Sequence, residues 1–173
     1  VQKEFKVINL INGYRSRGHL FTKTNPVRAR RTYTPTLSLE NFGLSDNDLD
    51  TVFNAGDIIG LGPQPLKIIV SHLEEIYCDS IGVEYMYIRN PEIISWIQNK
   101  LNINNNQPAF SNDQKIKLIT KLIEAVSFEN FLHTKFVGQK RFSLEGGESL
   151  IPALDILIEA AAEKGVQEFV MGM

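Results

Sequence analysis

Hydrophobic residues recur every three or four positions in five stretches of the chain, a period that predicts amphipathic α-helices. These stretches cover residues 2–17, 66–78, 91–101, about 112–133 and 149–164. Local signals support several of the boundaries. Ser111 with Gln114 matches a capping box, Pro91 suits a first helical turn, and Gly18 and Gly165 suit helix ends.

The segments between these helices have weaker patterns. Residues 18–44 contain two prolines and no sustained period, which predicts extended chain lying on another surface. Ser45 is a candidate cap for a short helix over 46–53. Residues 54–65 form a loop rich in glycine and proline, without the lysine and spacing of a phosphate-binding loop. Residues 82–88 alternate in polarity, which favours a short strand or an extended run.

The end of the chain has a different character. After the helix at 149–164 and Gly165, the apolar segment 166–172 predicts a buried strand, and this order is typical of the beginning of an α/β unit. The predicted fold class is therefore mainly α: an N-terminal helical region leads into the start of an α/β domain. Three parts are expected: a helix plus an extended basic arm (1–44), a helical region (45–134) and a truncated start of an α/β domain (135–173).

Composition indicates an ordinary globular chain. Of its 173 residues, 43% are hydrophobic and 22% are charged, which fits one domain or one domain with a helical arm. No apolar run approaches the about 20 residues of a membrane span, so we expect no membrane partner. Helical and strand patterns are cut at Val1 and at the final residues, so we expect a piece of a longer protein.

Charge is distributed unevenly along the chain. The net charge is −2, but residues 1–31 hold eight basic side chains against Glu4 alone, a local balance of +7. No nucleic-acid-binding motif accompanies this excess, so we expect no nucleic-acid partner. Within this basic excess, one group of side chains is the most informative: Arg15, Arg17, His19, Arg28, Arg30 and Arg31. On a helix Arg15 and His19 would share a face, and the group either grips carboxylates of another domain or forms a solvated basic face.

Residues that commonly carry chemistry are isolated in this sequence. Cys78 is the only cysteine, which excludes an internal disulfide, and its apolar surroundings predict a small buried hydrophobe. The three histidines, His19, His72 and His133, lie far apart and predict packing or capping roles and no metal site.

The segment after the long helix is more polar, but it matches no catalytic motif. Ser143 lacks the context of a nucleophile elbow. Glu145 and Glu148 precede a predicted helix, where they compensate the helix dipole or, as the alternative, serve as a general acid and base. Composition and spacing alone therefore give no reaction.

Three longer blocks resemble one enzyme family. They are "INGYRSRGHLFTKTNP", "YCDSIGVEYMYIRNPEIISWIQNKL" and "FLHTKFVGQKRFSLEGGESLIPALD". In this order they resemble the thiamine-diphosphate-dependent, decarboxylating first component of the 2-oxoglutarate dehydrogenase complex, with the likeness covering residues 8–173. The 2-oxoadipate enzyme and the actinobacterial 2-oxoglutarate decarboxylase share much of this pattern.

The resemblance assigns a few residues. Phe142 matches the phenylalanine that the family places in its 2-oxo acid pocket, where an aromatic wall excludes water and presses on the substrate's methylenes. Arg141 and Glu145 would support it. The family's catalytic histidine and arginine and its magnesium and diphosphate motifs have no match within residues 1–173. We therefore expect no catalytic, cofactor-binding or metal-binding residue here, and an inactive chain in isolation.

The resemblance also implies properties of the whole enzyme, which acts in the tricarboxylic acid cycle. It would be a homodimer that uses thiamine diphosphate and magnesium and passes a succinyl unit to the lipoyl group of a succinyltransferase, in a complex with dihydrolipoyl dehydrogenase. Many Asn, Ile and Lys residues favour a bacterial gene and hence the cytoplasm, with the mitochondrial matrix as second choice. Two alternatives remain. One is a free-standing helical interaction module without catalysis, and the other is an enzyme specific for 2-oxoadipate, which is one methylene longer than 2-oxoglutarate.

Overall fold

The protein is described here by a computed structural model, which covers residues 2–25, 27, 36–140 and 143–172. The chain divides into two compact units, Val1–Pro108 and Ala109–Met173. Hereafter they are called the first and the second unit. The three-part division at 44/45 and 134/135 stays a prediction.

Helices dominate the described residues, so the predicted mainly α class is confirmed. The five helices are α1 (Gln2–Arg17), α2 (Leu66–Tyr77), α3 (Pro91–Ile103), α4 (Asn112–Lys135) and α5 (Leu150–Glu163). A two-residue strand β1 (Val52–Phe53) pairs antiparallel with β2 (Gln64–Pro65). Short 3-10 helices lie at Gly18–Phe21, Leu39–Phe42, Asp46–Asp48 and Asn54–Ile59. No helix among the described residues combines the length and the apolar character needed to cross a membrane.

The core of the first unit lies between α1 and α2. Val7, Leu10 and Ile11 of α1 and Leu66 and Ile69 of α2 are almost completely buried. Their spacing of three or four residues places each set on one helix face, so hydrophobic burial holds the two helices together. The remaining buried hydrophobic residues close this core: Tyr14, Leu37, Leu44, Phe53, Ala55, Ile59, Leu73, Ile76, Tyr77, Tyr85 and Leu101.

Gly18 follows α1 as predicted, but the reason for glycine is different. Its φ is not positive, so it does not form the left-handed C-cap that usually selects glycine. A Cβ added at Gly18 would lie 2.5 Å from the Cβ of Tyr77. Close approach of the end of α1 to α2 therefore excludes any side chain at this position.

Several predicted elements are wrong in their detail. The helix expected over 46–53 is only the 3-10 helix Asp46–Asp48, because the chain then enters β1 and pairs with β2. The extended run expected over 18–44 contains two 3-10 helices, while residues 26 and 28–35 lie outside the described residues. Residues 82–88 form no strand, so that alternative is wrong, while the extended run stays a prediction.

The second unit consists of α4 and α5. Lys117 and Lys121 of α4 pair with Asp155 of α5 at 3.5 and 3.4 Å, and Lys117 also pairs with Glu159. The capping box predicted for Ser111 is confirmed: its hydroxyl accepts a hydrogen bond from the backbone N–H of Gln114, 3.2 Å away. Within residues 109–140 and 143–172, Pro152 alone is fully buried, so this unit has almost no hydrophobic core of its own.

The two ends of α5 differ from each other. Ser149 makes no side-chain capping bond: its φ of −61° and ψ of −15° are helical, and the third helical residue, Pro152, has no N–H to donate. At the other end Gly165 has φ +89° and donates to the Ala162 carbonyl, and Val166 donates to the Ala161 carbonyl. This Schellman motif confirms Gly165 as the helix end.

The strand predicted over 166–172 is wrong. These residues have no regular secondary structure. A strand requires a hydrogen-bonded neighbour, and the only strands among the described residues, β1 and β2, pair with each other in the first unit. The segment is apolar, as a buried strand would be, but no strand among the described residues is available to pair with it.

One ion pair makes stability depend on pH. The buried Asp48 carboxylate pairs with Lys3 and accepts a hydrogen bond from the Ser45 backbone N–H. The Lys3 ammonium holds the pKa of Asp48 below its ordinary 3.8. A carboxylate with a depressed folded-state pKa stabilises the fold above its unfolded pKa, and this stabilisation is lost as pH falls through the folded pKa.

We expect Asp48→Asn to lower the midpoint of urea unfolding at pH 7. The difference in midpoint between this variant and the wild type should shrink below about pH 4.

The matched control is Asp50→Asn, because Asp50 pairs with Lys67 at an exposed position. This variant should change the midpoint by far less at pH 7, since exposed pairs contribute at most about 1 kcal/mol. A wild-type minus Asp48→Asn difference that stays constant from pH 7 to pH 3 would contradict the ion-pair account.

Candidate functional site

Residues 136–149 connect α4 to α5 and contain the predicted site residues; they are called the connecting loop. Two glycines allow it to reverse direction, Gly138 with φ +82° and Gly146 with φ +87°. A residue with a side chain is strained at such angles. The loop begins as α4 ends, where the Phe136 N–H donates to the Leu132 carbonyl at 3.0 Å.

Two carboxylates fix the backbone of the second half of the loop. The Leu144 N–H donates to Glu129 Oε1 of α4 at 2.8 Å. The Gly146 N–H donates to the two carboxylate oxygens of Glu148, at 3.1 and 3.0 Å. Hydrogen bonds to a charged acceptor are shorter and stronger than neutral ones. The loop is thus tied to α4 two residues after position 142 and to its own turn before α5.

The structure places the predicted site residues unequally. Arg141 and Phe142 lie outside the described residues, so their predicted roles in a 2-oxo acid pocket stay predictions. Glu145 is described, and it lies exposed in the turn that precedes α5. Glu148 accepts hydrogen bonds from the loop backbone, while its predicted roles in dipole compensation or acid–base chemistry stay predictions.

Glu129 is the residue that sequence reasoning missed. It lies 15 residues before its partner Leu144, inside a helix whose pattern marks it as an ordinary polar position. No motif or spacing in the sequence signals such a contact, because a backbone N–H is present at nearly every residue.

Three members of the predicted basic group lie among the described residues: Arg15, Arg17 and His19. Arg15 is 7% exposed and donates to the Asn12 side chain and to the Ile58 carbonyl, both at 3.3 Å. Arg17 donates to the Thr36 carbonyl at 3.2 Å, and His19 Nε2 lies 3.7 Å from a Glu84 carboxylate oxygen. Arg15 lies in α1, whereas His19 lies in the 3-10 helix Gly18–Phe21 that follows it. A solvated basic face is therefore wrong for Arg15, while contact of the group with carboxylates of another domain stays a prediction. Arg28, Arg30 and Arg31 lie outside the described residues.

A cleft of about 1000 Å³ in the first unit is the other concave feature of interest. Its lining includes Tyr14, Glu74 and Cys78. Burial raises the pKa of the Cys78 thiol to about 12 and, with Glu74 nearby, raises that of the Tyr14 phenol as well. Since only a thiolate is a good nucleophile, neither group is prepared for chemistry at neutral pH. Cys78 is half-buried and packs against the core, which suits its predicted structural role.

The described residues also offer no metal centre. No three His, Cys, Asp or Glu side chains among them lie close enough together to hold an ion. Burial lowers the pKa of His72. None of the described residues is therefore assigned to magnesium or to a diphosphate.

Comparison with known proteins gives a consistent result. No protein-family model matches the chain. A "2-oxoglutarate dehydrogenase E1 component" of Cupriavidus necator is 41% identical over 99% of this chain. A "multifunctional 2-oxoglutarate metabolism enzyme" of Mycolicibacterium vanbaalenii is also 41% identical over 99% of it. A "2-oxoglutarate dehydrogenase E1/E2 component" of Corynebacterium glutamicum is 40% identical over the whole chain.

The match covers nearly all of this chain but little of each relative. The chain spans 18% of the length of the Cupriavidus protein and 14% of the length of the other two, in their N-terminal part. Identity of about 40% over more than 170 residues is far beyond a shared short motif. The chain therefore belongs to the family of 2-oxoglutarate dehydrogenase E1 components and corresponds to an N-terminal segment of such an enzyme.

Proposed function

We propose that this chain is the part of a 2-oxoglutarate dehydrogenase that contributes one wall of the 2-oxo acid pocket. The observation that carries the proposal is the 41% identity over 99% of the chain to a protein of that name. The connecting loop supports it, because two carboxylates accept hydrogen bonds from the backbone N–H groups of Leu144 and Gly146, shortly after position 142. A binding residue works best on such a supported backbone.

Phe142 is proposed to be the wall itself, with Arg141 and Glu145 supporting it. A phenyl ring is rigid and apolar and can cover the two methylenes of 2-oxoglutarate while excluding water from the reacting carbon. Glu145 lies exposed in the turn after this position. No reacting group is assigned to this chain.

The remaining machinery is proposed to lie outside residues 1–173. The whole protein would decarboxylate 2-oxoglutarate with thiamine diphosphate and magnesium and pass the succinyl unit to a lipoyl group of a partner acyltransferase. No three His, Cys, Asp or Glu side chains among the described residues could hold an ion together, which is compatible with this placement of the cofactor and the metal. We therefore place their ligands elsewhere in a cytoplasmic bacterial enzyme that acts as a homodimer with succinyltransferase and dihydrolipoyl dehydrogenase partners.

The first test compares the isolated chain with the whole protein. With thiamine diphosphate and Mg²⁺, the whole protein should decarboxylate 2-oxoglutarate, whereas residues 1–173 alone should be inactive and show no saturable thermal shift. A ligand at 100 times its Kd stabilises a folded protein by about 2.7 kcal/mol, so binding would be visible as a raised Tm. A rise in the Tm of the isolated chain would contradict the placement of the cofactor site outside it. If the whole protein preferred 2-oxoadipate to 2-oxoglutarate, the proposed substrate would be wrong.

A second test concerns Phe142. Phe142→Ala in the whole protein should lower kcat/KM for 2-oxoglutarate at least about tenfold, since the loss of one apolar contact with substrate costs about 1–3 kcal/mol. Phe131→Ala is the control, because Phe131 is an exposed phenylalanine of the neighbouring α4. The wall assignment fails if Phe142→Ala keeps kcat/KM within about twofold of wild type.

A third test concerns Glu129 as a positioning residue. Glu129→Ala removes the acceptor for the Leu144 N–H and should reduce kcat/KM about three- to tenfold, because a net hydrogen bond at an exposed site contributes about 1 kcal/mol. Glu129→Gln keeps an acceptor oxygen and should restore most of the activity. Glu124→Ala is the control, since Glu124 is an exposed α4 carboxylate paired with Lys121. Equal losses in Glu129→Ala and Glu129→Gln would show that the hydrogen bond does not position the loop.

A further inference from the structure

Helix α4 has apolar side chains on more than one face. One face holds Leu118, Leu122, Ala125 and Leu132, which are half-buried; on this side Leu118 lines a shared surface with Pro152 and Ile156 of α5. A helix with one apolar face suits the surface of a protein, whereas a helix that is apolar on several faces is typical of an interior. Helix α5 covers only the face of α4 that holds Leu118, and apolar side chains on another face of α4 stay exposed.

The uncovered part is a regular row, here called the outer seam. It consists of Ile116, Ile119, Ile123 and Val126, which are 63%, 56%, 60% and 43% exposed. The steps of three, four and three residues are those of the a and d positions by which one helix packs against another. At 1.5 Å per residue the seam is about 15 Å long, or nearly three turns.

The surroundings of the outer seam suit burial. The Thr120 hydroxyl at its edge donates to the Ile116 carbonyl at 2.9 Å, so this hydrogen bond is made within the helix. The ammonium groups of Lys117 and Lys121 are paired with carboxylates of α5. Covering the seam would therefore remove apolar surface from water without leaving these polar groups unpaired, which is the condition for a favourable contact.

The size of the outer seam points to what covers it. A stable complex between separate proteins buries about 800 Å² on each partner, and four half-exposed aliphatic side chains offer far less. Association of separate chains also costs translational and rotational freedom, a cost that a covalently connected segment does not bear. The relatives are more than five times as long as the matched region, which spans 14–18% of them.

We propose that the outer seam is a docking face for a helix of the same polypeptide that lies outside residues 1–173 and presents aliphatic side chains at three- and four-residue steps. This inference rests on the proposed function, because that function supplies the longer polypeptide. It assigns α4 the role of a central helix, packed on α5 on one side and on this further helix on another.

Photo-crosslinking in the whole protein tests the proposal. A benzoylphenylalanine probe placed at Ile123 should give a product that runs at the monomer mass on a denaturing gel. Its cross-linked peptide should map outside residues 1–173. The same probe at Glu124, an exposed polar position of α4, should not yield that peptide. A product of dimer mass, a peptide from residues 1–108, or identical products at both positions would overturn the proposal.

Cysteine labelling covers the case in which the bulky probe prevents folding. Ile119→Cys in the whole protein should react with a maleimide at least tenfold more slowly than Glu124→Cys under native conditions, and equally fast in urea. Cys78 adds little background, since burial raises the pKa of its thiol. Equal native rates would overturn the proposal. Because both readouts are independent of turnover, loss of the seam contact is distinguishable from failure of the 2-oxoglutarate assignment.

Discussion

The hydrogen bond from the Leu144 backbone N–H to the Glu129 carboxylate is the contact on which the candidate site depends. It joins the connecting loop to the middle of α4, and α4 in turn is held to α5 by the ion pairs of Lys117 and Lys121. Leu118 of α4 also lines a shared surface with Pro152 and Ile156 of α5, so apolar and polar contacts act together. The backbone at Leu144, two residues after position 142, is held by a hydrogen bond to a charged side chain.

The two units show how differently a fold of this size can be stabilised. The first unit packs α1 on α2 around fully buried aliphatic residues, and Gly18 lets the end of α1 approach Tyr77. The second unit exposes aliphatic residues on α4 that would be buried in an independent domain. This contrast fits a segment whose first unit has its own core and whose second unit belongs to a larger one.

Sequence alone predicted the features that depend on neighbouring residues. The five helices, the Ser111 capping box and the Gly165 helix end are determined within a few positions of the chain, so their patterns were sufficient. Contacts between distant residues were not predictable in this way. Examples are the β1–β2 pair, the burial of Arg15 against the Ile58 carbonyl, and the bond between Glu129 and Leu144. Phe142 was assigned only through resemblance, because no local pattern marks a pocket residue.

The most direct measurement is an experimental structure of the whole protein with a non-reactive analogue of 2-oxoglutarate. The account predicts that the Phe142 ring lies within about 4.5 Å of the analogue's methylene carbons, the distance of apolar contact, with the Leu144 N–H still bound to Glu129. A structure in which the analogue binds in the active site while Phe142 points away from it and lies beyond contact would contradict the central claim that this loop forms one wall of the pocket.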